Sequence, residues 1–199
     1  MYSAILNLLN AVLICGAVAA ACKAAPEGQL KAVFRYFTVQ SNLFCAAASV
    51  AVAVYRIAAG TAAAGADAAI PLGLSLVKFV STAAVAVTFL TVVFFLMPRQ
   101  GGPGDLFKRY NFFMHFLCPV LAIISYLLWD KVPSRFPTVF LGILPVLLYG
   151  AWYMYHVVTV PEEKRWEDFY GFNRGGKWPV ALAAMLAGTF LISLALWAV

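Results

Sequence analysis

The chain has 199 residues, of which 64% are hydrophobic and 11% charged, with a mean hydropathy of +0.88 and a formal net charge of +6. A soluble domain carries roughly a quarter of its residues as charges, so this composition excludes a water-soluble enzyme. The basic excess does not point to nucleic acid either, because Lys and Arg are scattered through connectors rather than gathered in a run or on one helix face.

Six uncharged stretches of 20 residues or more cover 1–22, 36–55, 79–98, 110–129, 136–161 and 178–199. About 20 helical residues cross a hydrocarbon core roughly 30 Å thick. The stretches therefore predict spanning helices over 2–22, 37–57, 78–97, 110–129, 137–158 and 178–198. A barrel is excluded, since its strands alternate polar and apolar over about 10 residues and segments such as Phe79–Met97 do not. Connectors are short, so the expected fold class is all-α: a polytopic integral membrane protein, a six-transmembrane-helix bundle in one domain.

In chain order, Met1–Cys22 lacks a basic leader, and its apolar run exceeds the roughly 7–15 residues of a signal core. It is expected to stay as a first helix, with Asn7 and Asn10 on an inward face. The second helix opens Tyr36-Phe37-Thr38-Val39-Gln40-Ser41-Asn42, placing Thr38, Ser41 and Asn42 on one face. Lys78 starts the third and is expected to snorkel. The fourth carries Asn111 and His115 on one face, followed by Cys118 and Pro119. The fifth carries a stripe of Gly142, Pro145, Tyr149, Trp152 and His156. Cys15, Cys22, Cys45 and Cys118 form no C-x-x-C pair and read as small buried hydrophobes.

Connectors 1–2, 3–4 and 5–6 carry Lys23, Lys31, Arg35, Arg99, Lys108, Arg109, Lys164, Arg165, Arg174 and Lys177, against Arg56, Lys78, Lys131 and Arg135 on the other side. Basic residues favour the cytoplasm, which predicts those three connectors inside a cell membrane and both termini outside. Helix parity then sets Thr38 and His115 about one turn into their helices, and His156 at its helix exit, in one leaflet. Loop 5–6, with Trp166, Tyr170, Asn173 and Trp178, is expected to cover them.

Each residue also has a plain structural reading. Threonine bonds the i−4 carbonyl, Ser and Asn join helices, and His156 beside Tyr153 and Tyr155 suits an aromatic belt. Tyr149 and Trp152 suit packing. His115 is the exception, because an ionisable residue inside a membrane marks a site by default.

A hydroxyl needs a base to become a nucleophile, and imidazole, with an unperturbed pKa of about 6.5, is the usual one. Thr38 and His115 would supply both. Gln40, Ser41, Asn42 and Asn111 would give neutral donors to an oxyanion, with Tyr149, Trp152 and His156 as further substrate contacts. The spans are expected to hold no Asp or Glu, with Asp105 and Asp168 only in adjacent loops, which favours a dyad over a triad. G-x-S-x-G and H-E-x-x-H are absent, and neither a metal nor a cofactor is expected.

The segment Phe37-Thr38-Val39-Gln40-Ser41-Asn42, His115 in the fourth helix and the six-span layout resemble the androgen-induced protein family. It includes the androgen-induced and androgen-dependent TFPI-regulating membrane proteins and bacterial relatives. Tyr170-Gly171-Phe172 looks like the bacterial branch. The resemblance implies an intramembrane threonine hydrolase of fatty acid esters of hydroxy fatty acids, with Thr38 as nucleophile and His115 as base. The implied partner is a membrane lipid substrate within the bilayer.

Two rivals stay open on the residues alone. His115 and His156 at one depth suit axial haem ligation in an electron carrier. Six helices with Gly and Pro also suit a non-catalytic lipid-binding or transport bundle, although no internal repeat supports transport.

Overall fold

A computed structural model describes residues 1–62, 69–99, 102 and 104–199, with the side chains of Thr61, Ala62, Arg99, Asp105 and Leu106 outside that description. The described residues form helices and no strands. Six helices are long and apolar enough to cross a membrane: α1 (Tyr2–Ala24), α2 (Phe37–Gly60), α3 (Leu72–Leu96), α4 (Tyr110–Asp130), α5 (Phe136–Thr159) and α6 (Trp178–Ala198). The protein is thus a six-helix, multi-pass membrane bundle.

Helix α3 is its axis, packing against α2, α4, α5 and α6, with 56% of its apolar stretch buried against 17% for α6. Small side chains make the close crossings, as expected where lipid is as apolar as leucine and packing must drive association. Ala11, Ala17, Cys45, Ala46, Cys118 and Ala122 form the core shared by α1, α2 and α4. On α5, a Cβ at Gly142 would collide with the Ser193 hydroxyl of α6 and touch Ala83 of α3. That glycine lets three helices meet.

Prolines set the local irregularities. A proline cannot give its nitrogen to the carbonyl four residues back, and three five-residue π-helical segments stand just before one. These are Val92–Leu96 before Pro98, Phe113–Leu117 before Pro119, and Tyr155–Thr159 before Pro161. Pro119 releases the carbonyl of His115, so that histidine sits inside a π-bulge, a feature common at functional sites. Pro145 acts likewise on Leu141, and Phe136–Ile143 winds as a tight 3-10 helix.

The third helix corrects two expectations. It starts at Leu72, well before 78, so Lys78 lies two turns inside it. Lys78 does not snorkel; it is fully buried, and its Nζ donates to Asn7 Oδ1 at 2.6 Å and Ser49 Oγ at 2.8 Å. Nor are the spans free of carboxylates. Asp130 closes α4 fully buried, accepting from Ser3 Oγ (2.6 Å), Asn7 Nδ2 (2.8 Å) and Ser125 Oγ (2.6 Å). Arg56 Nη2 lies 3.7 Å from its Oδ1. A charge ends an apolar run in sequence, but here four helices supply the partners that let it stay inside. Ser75 completes the knot, giving its hydroxyl to the Asp130 carbonyl (2.8 Å) and accepting the Val132 amide (3.0 Å).

Candidate functional site

At the opposite end, Thr38 and His115 line one cavity of about 500 Å³, within the usual range for small-molecule sites. Connector 1–2 closes it with Pro26 and Gln29, α4 with Tyr110 and Asn111, and loop 5–6 with Phe169 and Tyr170. The common depth expected from helix parity is therefore a common wall. His115 is buried, 8% exposed.

Asn42 holds the two helices in register. Its Nδ2 donates to the Thr38 carbonyl at 2.8 Å and to the Met114 carbonyl at 3.1 Å, next to His115 in sequence. Both amide protons are engaged, so Asn42 positions the site rather than facing a substrate. Gln40 gives its amide to the Phe34 carbonyl at 2.9 Å. Ser41 bonds the Thr88 hydroxyl at 3.0 Å and the Thr38 carbonyl at 3.2 Å. Of the four neutral donors expected near an oxyanion, Asn111 alone lines the cavity with Thr38 and His115. Gln40 and Ser41 line a separate cleft with Phe37, Tyr149 and Trp152.

Thr38 is the second residue of α2, and the amides around it are engaged: those of Val39 and Gln40 donate to the Tyr36 carbonyl at 3.1 and 3.2 Å. The Phe37 amide donates to Tyr170 Oη at 3.1 Å.

That contact belongs to a lid built by loop 5–6. Asp168 accepts from Tyr153 Oη (2.9 Å) and from the Phe172 (3.0 Å) and Asn173 (2.8 Å) amides. Tyr153 Oη in turn accepts the Tyr170 amide at 3.3 Å. Gly171 makes the turn at φ +68, where a Cβ would be strained and would meet Arg174. Burial pushes the Tyr170 phenol up to about 12, so it stays protonated at neutral pH. Asp168, expected only near the site, thus holds the lid. The aromatic density of the loop foretold a cover and included Tyr170, but nothing in the spacing singled out Phe169 as a second lining residue.

His156 lies elsewhere. Its ring stacks on Trp166 at 4.2 Å and 23°, its Nδ1 meets the Trp152 carbonyl at 2.9 Å, and it is not among the residues lining the cavity of His115. Arg35 covers the other partner of this stack, 5.0 Å from the Trp166 ring. Paired axial ligation by the two histidines has no geometric support. Tyr149 donates to the Arg35 carbonyl at 2.8 Å and packs on Phe37, while Trp152 packs on His156 and Trp166.

No family model, curated protein or solved structure matches this chain.

Proposed function

We propose that the protein hydrolyses lipid esters within the membrane, with Thr38 as nucleophile and His115 as general base. The observation that carries this reading is one cavity lined by both Thr38 of α2 and His115 of α4. The family resemblance names the substrate class, fatty acid esters of hydroxy fatty acids. The distribution of basic residues favours the cytoplasmic face of a cell membrane for this site.

His115 removes the hydroxyl proton of Thr38 as its oxygen attacks the ester carbonyl. The oxyanion that forms faces the Asn111 side chain. Collapse expels the alcohol, which takes its proton from His115, and leaves an acyl-threonine. A water, deprotonated by His115, then releases the free acid and restores Thr38.

The test is ester hydrolysis by the purified protein together with mass-spectrometric mapping of a fluorophosphonate probe. Thr38→Ala and His115→Ala are each expected to lower turnover by ~10²-fold or more, and labelling should fall on Thr38 and vanish in His115→Ala. Undiminished hydrolysis in Thr38→Ala overturns the assignment.

A further inference from the structure

Thr38 borders more than the polar cavity. It also lines a second, narrow space of about 60 Å³ that runs between α3, α5 and α6 past Val87, Val92, Val146, Met154 and Leu182. This passage shares Val87, Thr91, Leu96 and Met185 with a third space of about 500 Å³ between α3 and α6. There Phe94, Phe95 and Leu191 are 66%, 58% and 63% exposed on the outside of the bundle. Gly188 adds no side chain, and a Cβ there would meet nothing within 4 Å. Tyr170 lines all three spaces. It sits where the polar one turns into the apolar ones.

The chemistry of the two inner walls differs sharply. Among the described residues, none that lines the passage or the outer groove is charged. Where hydroxyls do border the passage, Thr88 is already bonded to Ser41 and to the Ala84 carbonyl. A charged or hydrated headgroup would lose its solvation there with no partner. A hydrocarbon chain would lose nothing, because the groove opens where bilayer chains lie.

We propose that this passage is the acyl subsite: one long hydrocarbon chain enters from the bilayer between α3 and α6 and ends with its carbonyl at Thr38. This rests on the esterase reading of Thr38, and it divides the substrate. The acyl half lies in the passage, and the alcohol half lies in the polar cavity beside Asn111. The narrow neck admits a single chain, so chain length on the acyl side governs selectivity. Met185, at the junction of passage and groove, sets it.

The experiment has two arms on the full-length protein in nanodiscs. In the first, kcat/KM is measured for p-nitrophenyl esters from acetyl to palmitoyl. Met185→Trp, which fills the junction, is expected to lower the preference for the palmitoyl over the acetyl ester by ~10-fold or more, the scale on which hydrophobic pockets discriminate. Leu182→Phe, a smaller change in the neck, should shift the preference in the same direction, and serves if Met185→Trp does not fold. In the second arm, a palmitic acid with a terminal diazirine is photolysed, and the labelled peptides are mapped in wild type and in Thr38→Ala. Label on 87–96 or 181–192 in both proteins supports the passage. Label confined to other faces, or an unchanged chain-length preference in both variants, overturns it. If label maps to the passage but no ester is hydrolysed, the esterase reading falls and the acyl site stands. If hydrolysis depends on Thr38 but label and preference ignore the passage, the acyl site falls and the esterase stands.

Discussion

The two ends of the bundle handle polarity in opposite ways. At one end Lys78, Asp130 and Arg56 meet Ser3, Asn7, Ser49, Ser75 and Ser125 in a knot where ionisable groups bond to protein atoms. At the other end, among the described residues, the ionisable groups that line the cavity are His115 and tyrosine phenols, and that end is hollow. In lipid a charge with partners ties helices together, whereas a neutral polar group beside a cavity leaves room for a ligand. An intramembrane charge is a default pointer to function, yet here the charges mark the fold and the uncharged layer marks the candidate site.

The comparison is broken most forcefully at Asp130. Asp130→Ala removes the acceptor shared by Ser3, Asn7 and Ser125 and breaks the ion pair with Arg56. Removing one member of a buried ion pair destabilises by ~3–5 kcal/mol. Thermal unfolding of the purified protein in detergent should show a large fall in the midpoint, or no folded protein. Full retention of the midpoint would show that the knot does not hold the fold.

Lys78→Met sharpens the same point at a smaller scale. The replacement keeps the stem and removes the amine, leaving only neutral Asn7 Oδ1 and Ser49 Oγ short of one partner each. The expected loss is ~1–3 kcal/mol, the cost of unsatisfied buried polar groups. A destabilisation below that of Asp130→Ala, with ester hydrolysis retained in the surviving folded protein, is the outcome that keeps knot and site separate. Loss of hydrolysis at undiminished stability would join them.

These two residues also define what could be read from the chain. Six spans were legible because length and apolarity determine whether a segment can cross a bilayer. The leaflet shared by Thr38 and His115 was legible because parity alone sets it. Lys78 and Asp130 were not legible for one reason: in sequence, a charge at the edge of an apolar run looks like the limit of the helix. Whether it is inside depends on partners far along the chain, Ser3 being 127 residues from Asp130. The same limit applied to Gln40 and Asn42. Their spacing put them near Thr38, but only the path of connector 1–2 brings the Phe34 carbonyl to Gln40. Likewise, only the approach of α4 brings the Met114 carbonyl to Asn42.

Tyr170→Phe probes the hollow end without touching the proposed chemistry. It keeps the ring that lines the cavity and deletes the oxygen that accepts the Phe37 amide, at a cost of ~1 kcal/mol. Faster hydrogen exchange at Phe37 and through 166–173 is expected, with a raised KM and a smaller change in kcat. The phenol of Tyr170 titrates higher in the folded protein, about 12, than its ordinary ~10. Its neutral form is therefore favoured by folding; that stability is complete below about pH 10 and is lost as pH rises through about 12. Lid exchange, corrected for intrinsic rate, should be flat from neutral pH to about 9 and rise beyond 10. A rise centred near neutral pH would assign the lid to another group.

The smallest effect separates the two histidines. His156→Ala removes a ring stacked at 4.2 Å on Trp166, worth ~0.5–1.5 kcal/mol. The backbone bond from the Trp166 amide to the His156 carbonyl, 3.0 Å long, does not depend on the side chain and survives. The lid should stay anchored, the unfolding midpoint should fall slightly, and ester hydrolysis should stay within about three-fold of wild type, the scale of a lost packing contact. His115→Ala, by contrast, should lose hydrolysis while leaving the stack on Trp166 intact, visible as unchanged tryptophan fluorescence. Equal losses from both substitutions would mean that the histidines act together, and the cavity of Thr38 and His115 would no longer be a site on its own.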